Sequence, residues 1–288
     1  MKISVITPSY QNSEWLKRCV SSVADQGSAL QEHIIQDAGS TDGTWGWLEK
    51  DPRVKAWFEK DAGLYDAINR GFSRASGDIL GYLNCDEQYL PGALLSVADY
   101  FAQHPEVDAV VGDTVVVDGE ARYLCSRLGV VPGFLGTWVR FPVVTSSFFF
   151  RRKCWDTGKL RFDTSWKIFG DLFFVLEMIR RGIRFGVLPE YLSAFFDHGE
   201  NLYLRADPQE IRRRRQAVPL PARLLAWPLF LVYWARVFLR QGLRPRPLSY
   251  AIYFPGELSR RSIRENHPSF FWAGRSRWRS KKYGCLQT

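Results

Sequence analysis

The run Ile79-Leu80-Gly81-Tyr82-Leu83-Asn84-Cys85-Asp86-Glu87 decides the fold. Residues 79–83 are apolar or aromatic with no charge among them, which predicts a strand buried on both faces. The strand ends on two adjacent carboxylates, Asp86 and Glu87. That pair at a buried strand's end suits a hard divalent cation, Mg²⁺ or Mn²⁺. Such an ion takes few protein carboxylates and fills its remaining positions with water and substrate phosphates.

Outward from this run the same grammar repeats. Residues 3–7, 33–36, 54–58 and 109–111 read as further strands, and 15–24, 44–48 with a continuation, 64–75 and 91–103 as helices. The alternation predicts an α/β domain with a mostly parallel central sheet, whose ligands sit at the carboxyl ends of the strands. Two more strand ends are loaded with polar groups. One is Thr7-Pro8-Ser9-Tyr10-Gln11-Asn12, followed by Ser13 as a helix cap. The other is Gln36-Asp37-Ala38-Gly39-Ser40-Thr41-Asp42-Gly43-Thr44. Singly, an Asp-Gly loop is a turn and an Asp-Glu pair is a solvated surface. After consecutive strands of one sheet, the three loops converge on one edge. No GxGxxG follows the first strand and no P-loop is present, so those two nucleotide fingerprints are excluded.

The chain has 288 residues, 46% of them hydrophobic and 15% aromatic, enough for one large α/β domain and an appendage. The net charge of +9 is unevenly spread: residues 1–210 carry 22 Lys/Arg against 28 Asp/Glu, and residues 211–288 carry 17 against 2. An acidic body and a basic tail imply chemistry in the first and electrostatic attachment in the second. Cys19, Cys85, Cys125, Cys154 and Cys285 are odd in number and lack a CxxC pair, which argues against a zinc site or disulfide framework and suits a reducing cytosol. The start runs straight into a strand pattern, so no export signal is expected. The middle is less regular, with a hairpin-like 114–123, the run 147–150 and a helix beginning near Asp171.

Together the motifs resemble family 2 glycosyltransferases, nearest to bacterial enzymes of exopolysaccharide, capsule or lipopolysaccharide synthesis. They are Thr-Pro-Ser-Tyr at 7–10, Asp-Ala-Gly-Ser-Thr-Asp-Gly-Thr at 37–44, Asp-Ala-Gly-Leu-Tyr-Asp-Ala-Ile-Asn-Arg-Gly at 61–71, Asn-Cys-Asp-Glu at 84–87 and Phe-Gly-Asp-Leu at 169–172. The resemblance covers about residues 1–200. It implies a GT-A fold and an inverting transfer of a sugar from a nucleoside diphosphate to an acceptor hydroxyl. By position it implies that Pro8, Ser9 and Tyr10 lie along the nucleoside and that Asp37 reads the base. Asp61, Tyr65, Asn69 and Arg70 would line the donor cleft, Asp86 and Glu87 would hold Mg²⁺ or Mn²⁺ against the diphosphate, and Asp171 would be the base. His198 is a further candidate for metal or diphosphate, with a structural or solvent-facing histidine as the alternative. Ser146 and Ser147 are candidate acceptor contacts. Arg151-Arg152-Lys153 reads as a phosphate contact or a charged turn. Two departures from the family pattern are Asp37-Ala38 and Asp86-Glu87, each where Asp-Asp is more usual.

The domains are expected at 1–205, catalytic, and 206–288, a basic, partly helical, membrane-associating extension. Within the latter, residues 220–239 are long enough to span a bilayer but carry Pro221, Arg223, Pro228 and Arg236. With Arg212–Arg215 on one side and Arg240, Arg244 and Arg246 on the other, they read as a helix in the membrane interface. A helix packed on the catalytic domain, or a true span, are the alternatives. The expected partners are a nucleoside-diphosphate sugar and a lipid-linked glycan, with no nucleic acid, at the cytoplasmic face of the cell membrane. A nucleotidyltransferase and a degenerate sugar-nucleotide binder without turnover are the competing functions.

Overall fold

The structure is a computed structural model that describes residues 1–241, 246–257 and 259–270; Arg244 and Cys285 lie outside the described residues. The elements of the body are β1 (Ile3–Ser9), α1 (Ser13–Ala24), β2 (Leu30–Asp37), α2 (Thr44–Leu48), β3 (Lys55–Phe58), α3 (Leu64–Arg74), β4 (Ile79–Tyr82), β5 (Gln88–Tyr89) and α4 (Ala93–Gln103). There follow β6 (Ala109–Asp118), β7 (Tyr123–Arg127), α5 (Phe134–Val139), β8 (Phe148–Arg151), α6 (Arg152–Asp156), α7 (Gly170–Arg180) and β9 (Phe185–Asp197). The strands form one nine-stranded sheet in the order β3-β2-β1-β4-β8-β6-β9-β5, with β7 beside β6. β8 runs antiparallel to both β4 and β6, so β1, β2, β3, β4, β6 and β9 all point the same way and end at one edge.

Side chains alternate across the sheet as the pleat requires. Phe148 and Phe150 join Ile6, Phe72, Trp155, Phe162 and Phe174 in a core under α3, α6 and α7. Phe149 points the other way, among Val5, Cys19, Leu94, Val97 and Phe101 under α1 and α4. Gly71 lets α3 lie directly on β1, because a Cβ there would sit 2.4 Å from Ile6 Cγ2. No side chain of ordinary size fits that gap.

The structure departs from the sequence reading in the middle of the chain. Residues 109–111 and 114–117 belong to one strand, β6, which continues through Gly112-Asp113. A carboxylate inside a buried strand reads as a break, but Asp113 is neutralised from far along the chain. Arg240 grips it with two parallel bonds of 2.9 Å, and the Gly129 N–H donates to it at 2.8 Å. β9, which the sequence reading left unassigned, pairs parallel with β6. Its Pro189 falls where the register shifts and no ladder donor is needed.

The extension is built onto this body. It comprises α8 (Pro208–Ala217), α9 (Leu220–Leu224), α10 (Ala226–Gln241), β10 (Leu248–Tyr253) and β11 (Arg260–Glu265). Leu248, Tyr250 and Ile252 pack with Val115, Val117 and Phe196 of the sheet. Arg260 clasps Asp25 at 2.6 and 2.8 Å. Val237 is buried against Leu128 and Val130, while the opposite side of α9 and α10 exposes Leu224, Trp227, Leu231 and Leu239 by 64–85%. None of the described helices is long and apolar enough to cross a membrane.

Arg240 is therefore a stability determinant. Its replacement by Ala leaves Asp113, whose side chain is 1% exposed, without its counter-charge. Arg240→Ala should lower the unfolding free energy by about 3 kcal/mol in urea melts. A change below about 0.5 kcal/mol would show the pair to be structurally idle.

Candidate active site

The edge where the parallel strands end collects most of the polar groups singled out in the sequence. Pro8 and Ser9 close β1, and Tyr10 follows with its ring 61% exposed. Asp37 closes β2 and is fully buried: Oδ1 accepts from the Gly39 and Ser40 N–H groups at 3.0 and 2.7 Å, and Oδ2 from the Ser40 hydroxyl at 2.8 Å. It shapes the loop that a ligand would meet. The loops after β1 and β2 are laced together: Gln11 N–H donates to Ser40 Oγ at 2.8 Å and Ser13 N–H to Asp42 Oδ2 at 2.9 Å. Ser13 is thus the first residue of α1 rather than its cap. Asp42 takes the orphan N–H, and the Ser13 hydroxyl accepts from the Trp47 indole at 2.9 Å.

Between β3 and α3, Asp61 accepts the Gly63 N–H at 2.9 Å, and burial, with the charge of Asp66 nearby, raises its carboxyl above the ordinary range. Arg70 bonds Asp66 at 2.8 Å and the Lys60 carbonyl at 3.1 Å. Asn69 clips the backbone of Phe162, donating to its carbonyl and accepting its N–H, both at 2.9 Å. Tyr65 lies flat on Phe162 and donates to the Ile168 carbonyl at 2.7 Å. Asn69 and Tyr65 thereby hold the segment 162–168 that leads to Asp171.

Asp86 and Glu87, although adjacent, face different surroundings. Asp86 meets His198, which follows β9, with Oδ2 2.9 Å from Nε2. The Glu200 N–H donates to Nδ1 at 3.3 Å, which leaves Nε2 as the donor to Asp86. Trp15 lies tilted against the same imidazole, with ring centroids 4.9 Å apart. Glu87 turns inward: Oε2 accepts the Asn84 N–H at 3.0 Å, and Oε1 is buried with no hydrogen-bond partner. Burial, with Asp86 alongside, pushes the Glu87 carboxyl up to about 8. Among the described residues no group of three or more His, Cys, Asp or Glu side chains is set to hold an ion by itself. A Mg²⁺ or Mn²⁺ at Asp86 would gain His198 as a ligand only if Nε2 gave up its proton, and phosphate oxygens and water would have to complete the shell, which is how such ions ordinarily bind.

Asp171 opens α7. Its Oδ1 accepts the Leu172 N–H at 2.7 Å and lies 3.4 Å from the Tyr65 hydroxyl. Burial pushes its carboxyl up to about 6, a value suited to accepting a proton near neutral pH. Burial, with the charges of Asp171 and Glu87 adding to it, raises the Tyr82 hydroxyl at the end of β4 well above its ordinary range. Ser146 and Ser147 are fully buried, bonding Ser193 at 2.9 and 2.7 Å, and form the floor below rather than a surface for an acceptor. Arg151 and Arg152 bond backbone carbonyls, Arg152 also pairs with Asp156, and Lys153 pairs with Asp108. Sequence reasoning missed Trp15 and Tyr82, which carry no motif, and Glu210. Asp207-Pro208 does signal the helix on which Glu210 rides.

The sequence profile described as glycosyl transferase family 2 matches residues 4–166. The chain belongs to that family. The match includes Tyr10, Asp37, Asp61 and Asp86 and stops before Asp171 and His198. Family membership makes the chain a glycosyltransferase and removes the nucleotidyltransferase reading. An uncharacterized glycosyltransferase of Nostoc sp. is 26% identical over 269 residues, covering 87% of this chain and 83% of that one. A PGL/p-HBAD biosynthesis glycosyltransferase of Mycobacterium bovis is 32% identical over 126 residues, 42% of this chain and 49% of its own length. Among solved structures, S. aureus TarS in complex with UDP superimposes with a TM-score of 0.56 at 16% identity, covering 90% of this chain and 98% of that one. TarS with UDP-GlcNAc gives 0.54 at 16%, covering 92% and 100%. At that identity the likeness establishes the GT-A fold alone.

The Asn69 clip is open to test. Asn69→Ala would strand both the N–H and the carbonyl of Phe162, and should lower unfolding stability by about 2 kcal/mol in urea melts. An unchanged midpoint would show that the 162–168 segment is held by other contacts.

Proposed function

We propose that this family 2 enzyme transfers a sugar, with inversion, from a nucleoside diphosphate to a hydroxyl of a lipid-linked glycan at the cytoplasmic face of the membrane. One observation carries the reading: the Asp86–His198 pair at the ends of β4 and β9, together with a buried Asp171 whose carboxyl is pushed up to about 6. Tyr10 and the loop shaped by Asp37 lie at the neighbouring strand ends, where a nucleoside would rest, with Asp61 and Arg70 flanking. Asp86 and His198 would hold Mg²⁺ or Mn²⁺, with the Glu87 carboxyl beneath them. Bound there, such an ion would supply charge stabilisation to the departing diphosphate. Asp171 takes the proton of the attacking hydroxyl. One displacement, on the face away from the leaving group, inverts the anomeric centre. TarS, solved with UDP and with UDP-GlcNAc, makes UDP-GlcNAc the first donor to try.

The membrane part of the proposal rests on α9 and α10. Leu224, Trp227, Leu231 and Leu239 are exposed, and so are Arg212, Arg215 and Arg223 of the same run of helices. α5 packs against α9, α10 and α7, and Ala222 of α9 shares a buried cluster with Leu172 and Leu176, so these helices sit against the one that bears Asp171. Both features fit a peripheral contact that delivers a lipid-linked acceptor.

Across a panel of nucleoside-diphosphate sugars headed by UDP-GlcNAc, Mn²⁺ should support nucleoside diphosphate release and a chelator abolish it, and Asp86→Ala should bind the nucleotide weakly. Asp171→Asn should keep donor binding while kcat falls by roughly 10²–10⁴. The parent kcat should rise with pH through about 6, as Asp171 loses its proton. Full activity in chelator refutes the metal assignment, and a parental rate in Asp171→Asn refutes the base. No turnover with any donor would favour the degenerate binder. In vesicle flotation the chain should bind anionic bilayers, more weakly as salt rises. Trp227→Asp with Leu231→Asp should abolish that binding without loss of stability, both side chains being exposed. A parent chain that fails to float refutes the membrane contact.

A further inference from the structure

Helix α7, which presents Asp171, has no cap of its own. The residue at its cap position, Phe169, makes no side-chain hydrogen bond to the helix start, and within the first turn Asp171 itself accepts the Leu172 N–H. An α-helix leaves its first N–H groups unpaired, and a buried start needs an acceptor from somewhere. Just before that start, the N–H groups of the approaching segment find their acceptor in the extension. Glu210, in the first turn of α8, is 8% exposed and sends one oxygen, Oε1, to three consecutive N–H groups: Lys167 at 3.1 Å, Ile168 at 2.9 Å and Phe169 at 3.1 Å. Asp207 caps α8 by accepting the Gln209 N–H at 2.9 Å, which fixes the helix that carries Glu210. From the same helix, Arg213 lies 3.9 Å over the Trp166 ring and bonds Ser165 Oγ at 2.9 Å, and Arg214 lies over Phe169. The segment before Asp171 is therefore gripped by α8 on one side and by Tyr65 on the other.

We infer that Glu210 is a positioning residue for Asp171: its carboxylate collects the N–H groups of residues 167–169 and so sets where α7 begins and where the Asp171 carboxyl stands. The inference rests on Asp171 being the base. Three charge-assisted N–H bonds to one buried oxygen make a stiff joint, and a shift of about 1 Å in a catalytic group can cost on the order of 10² in rate. Asp171 is faced by Tyr65, Tyr82 and Glu210, and Glu210 contributes a negative charge. That charge raises the proton affinity of Asp171, so its removal should move the titration of the base to lower pH.

The test uses the full chain and release of UDP from UDP-GlcNAc, or from the donor that the panel identifies. kcat and donor KM are followed from about pH 5 to about pH 8 in Glu210→Ala, Glu210→Gln and Asp171→Asn. Glu210→Ala should lose roughly 10- to 100-fold in kcat with donor KM unchanged, and its acid limb should move to lower pH. Glu210→Gln keeps an acceptor oxygen without the charge, so it should retain more of kcat while showing the same displaced limb. If the alanine variant fails to fold, the limb of the glutamine variant carries the test. An unmoved limb together with a parental kcat, or a loss of donor affinity equal to the loss of kcat, overturns the inference. Asp171→Asn separates the two failures: a parental rate there removes the base itself, whereas an inactive Asp171→Asn beside parental Glu210 variants removes only the positioning role.

Discussion

β1 lies between β2 and β4, parallel to both, and the rest of the molecule is arranged around that pairing. Every residue of β1 is buried, so its backbone must be paired on both sides and its side chains covered on both faces. Parallel neighbours about 4.8 Å apart bring their carboxyl ends into one row. Tyr10, Asp37 and Asp86 therefore stand side by side although they are far apart along the chain. The helices follow from the same constraint: α3 must lie close enough to β1 that residue 71 has no side chain, and the covering on the other face falls to α1 and α4.

Buried carboxylates divide the structure into solved and unsolved electrostatic problems. Asp113 is answered by Arg240 and Glu210 by three N–H groups. Glu87 is answered by the Asn84 N–H, and no positive side chain is bonded to it among the described residues. An uncompensated carboxylate in low dielectric holds its proton, hence the rise of Glu87 to about 8. Strongly perturbed groups gather at working sites more often than elsewhere. The two compensated carboxylates are also the points where the extension is fastened to the body.

That fastening gives the extension two faces. The inward one contributes Val237, Leu248, Tyr250 and Ile252 to buried clusters, together with the ion pairs of Arg240 and Arg260. The outward one, on α9 and α10, is apolar with no covering partner among the described residues. One segment thus both fastens the body and carries an exposed apolar face, and its α9 packs with α5 and α7, the helix that bears Asp171.

The local pattern alone determined a good deal. Apolar runs ending in polar loops marked β1, β2 and β4, and the motif order at 7–10, 37–44, 61–71 and 84–87 marked the family. These features are legible because strand burial and turn chemistry are written in adjacent residues. The tertiary structure alone decided what depended on partners distant in sequence. It carried β6 through Asp113, because Arg240 arrives from 127 residues away. It turned Glu87 inward and set His198 beside Asp86, because β9 pairs parallel with β6. It made Asn69 and Tyr65 supports for the Asp171 segment, and it packed Leu248, Tyr250 and Ile252 of the extension against the sheet. Periodicity and turn residues report what one stretch of chain needs, whereas which distant group meets that need is decided only when the sheet has closed around it.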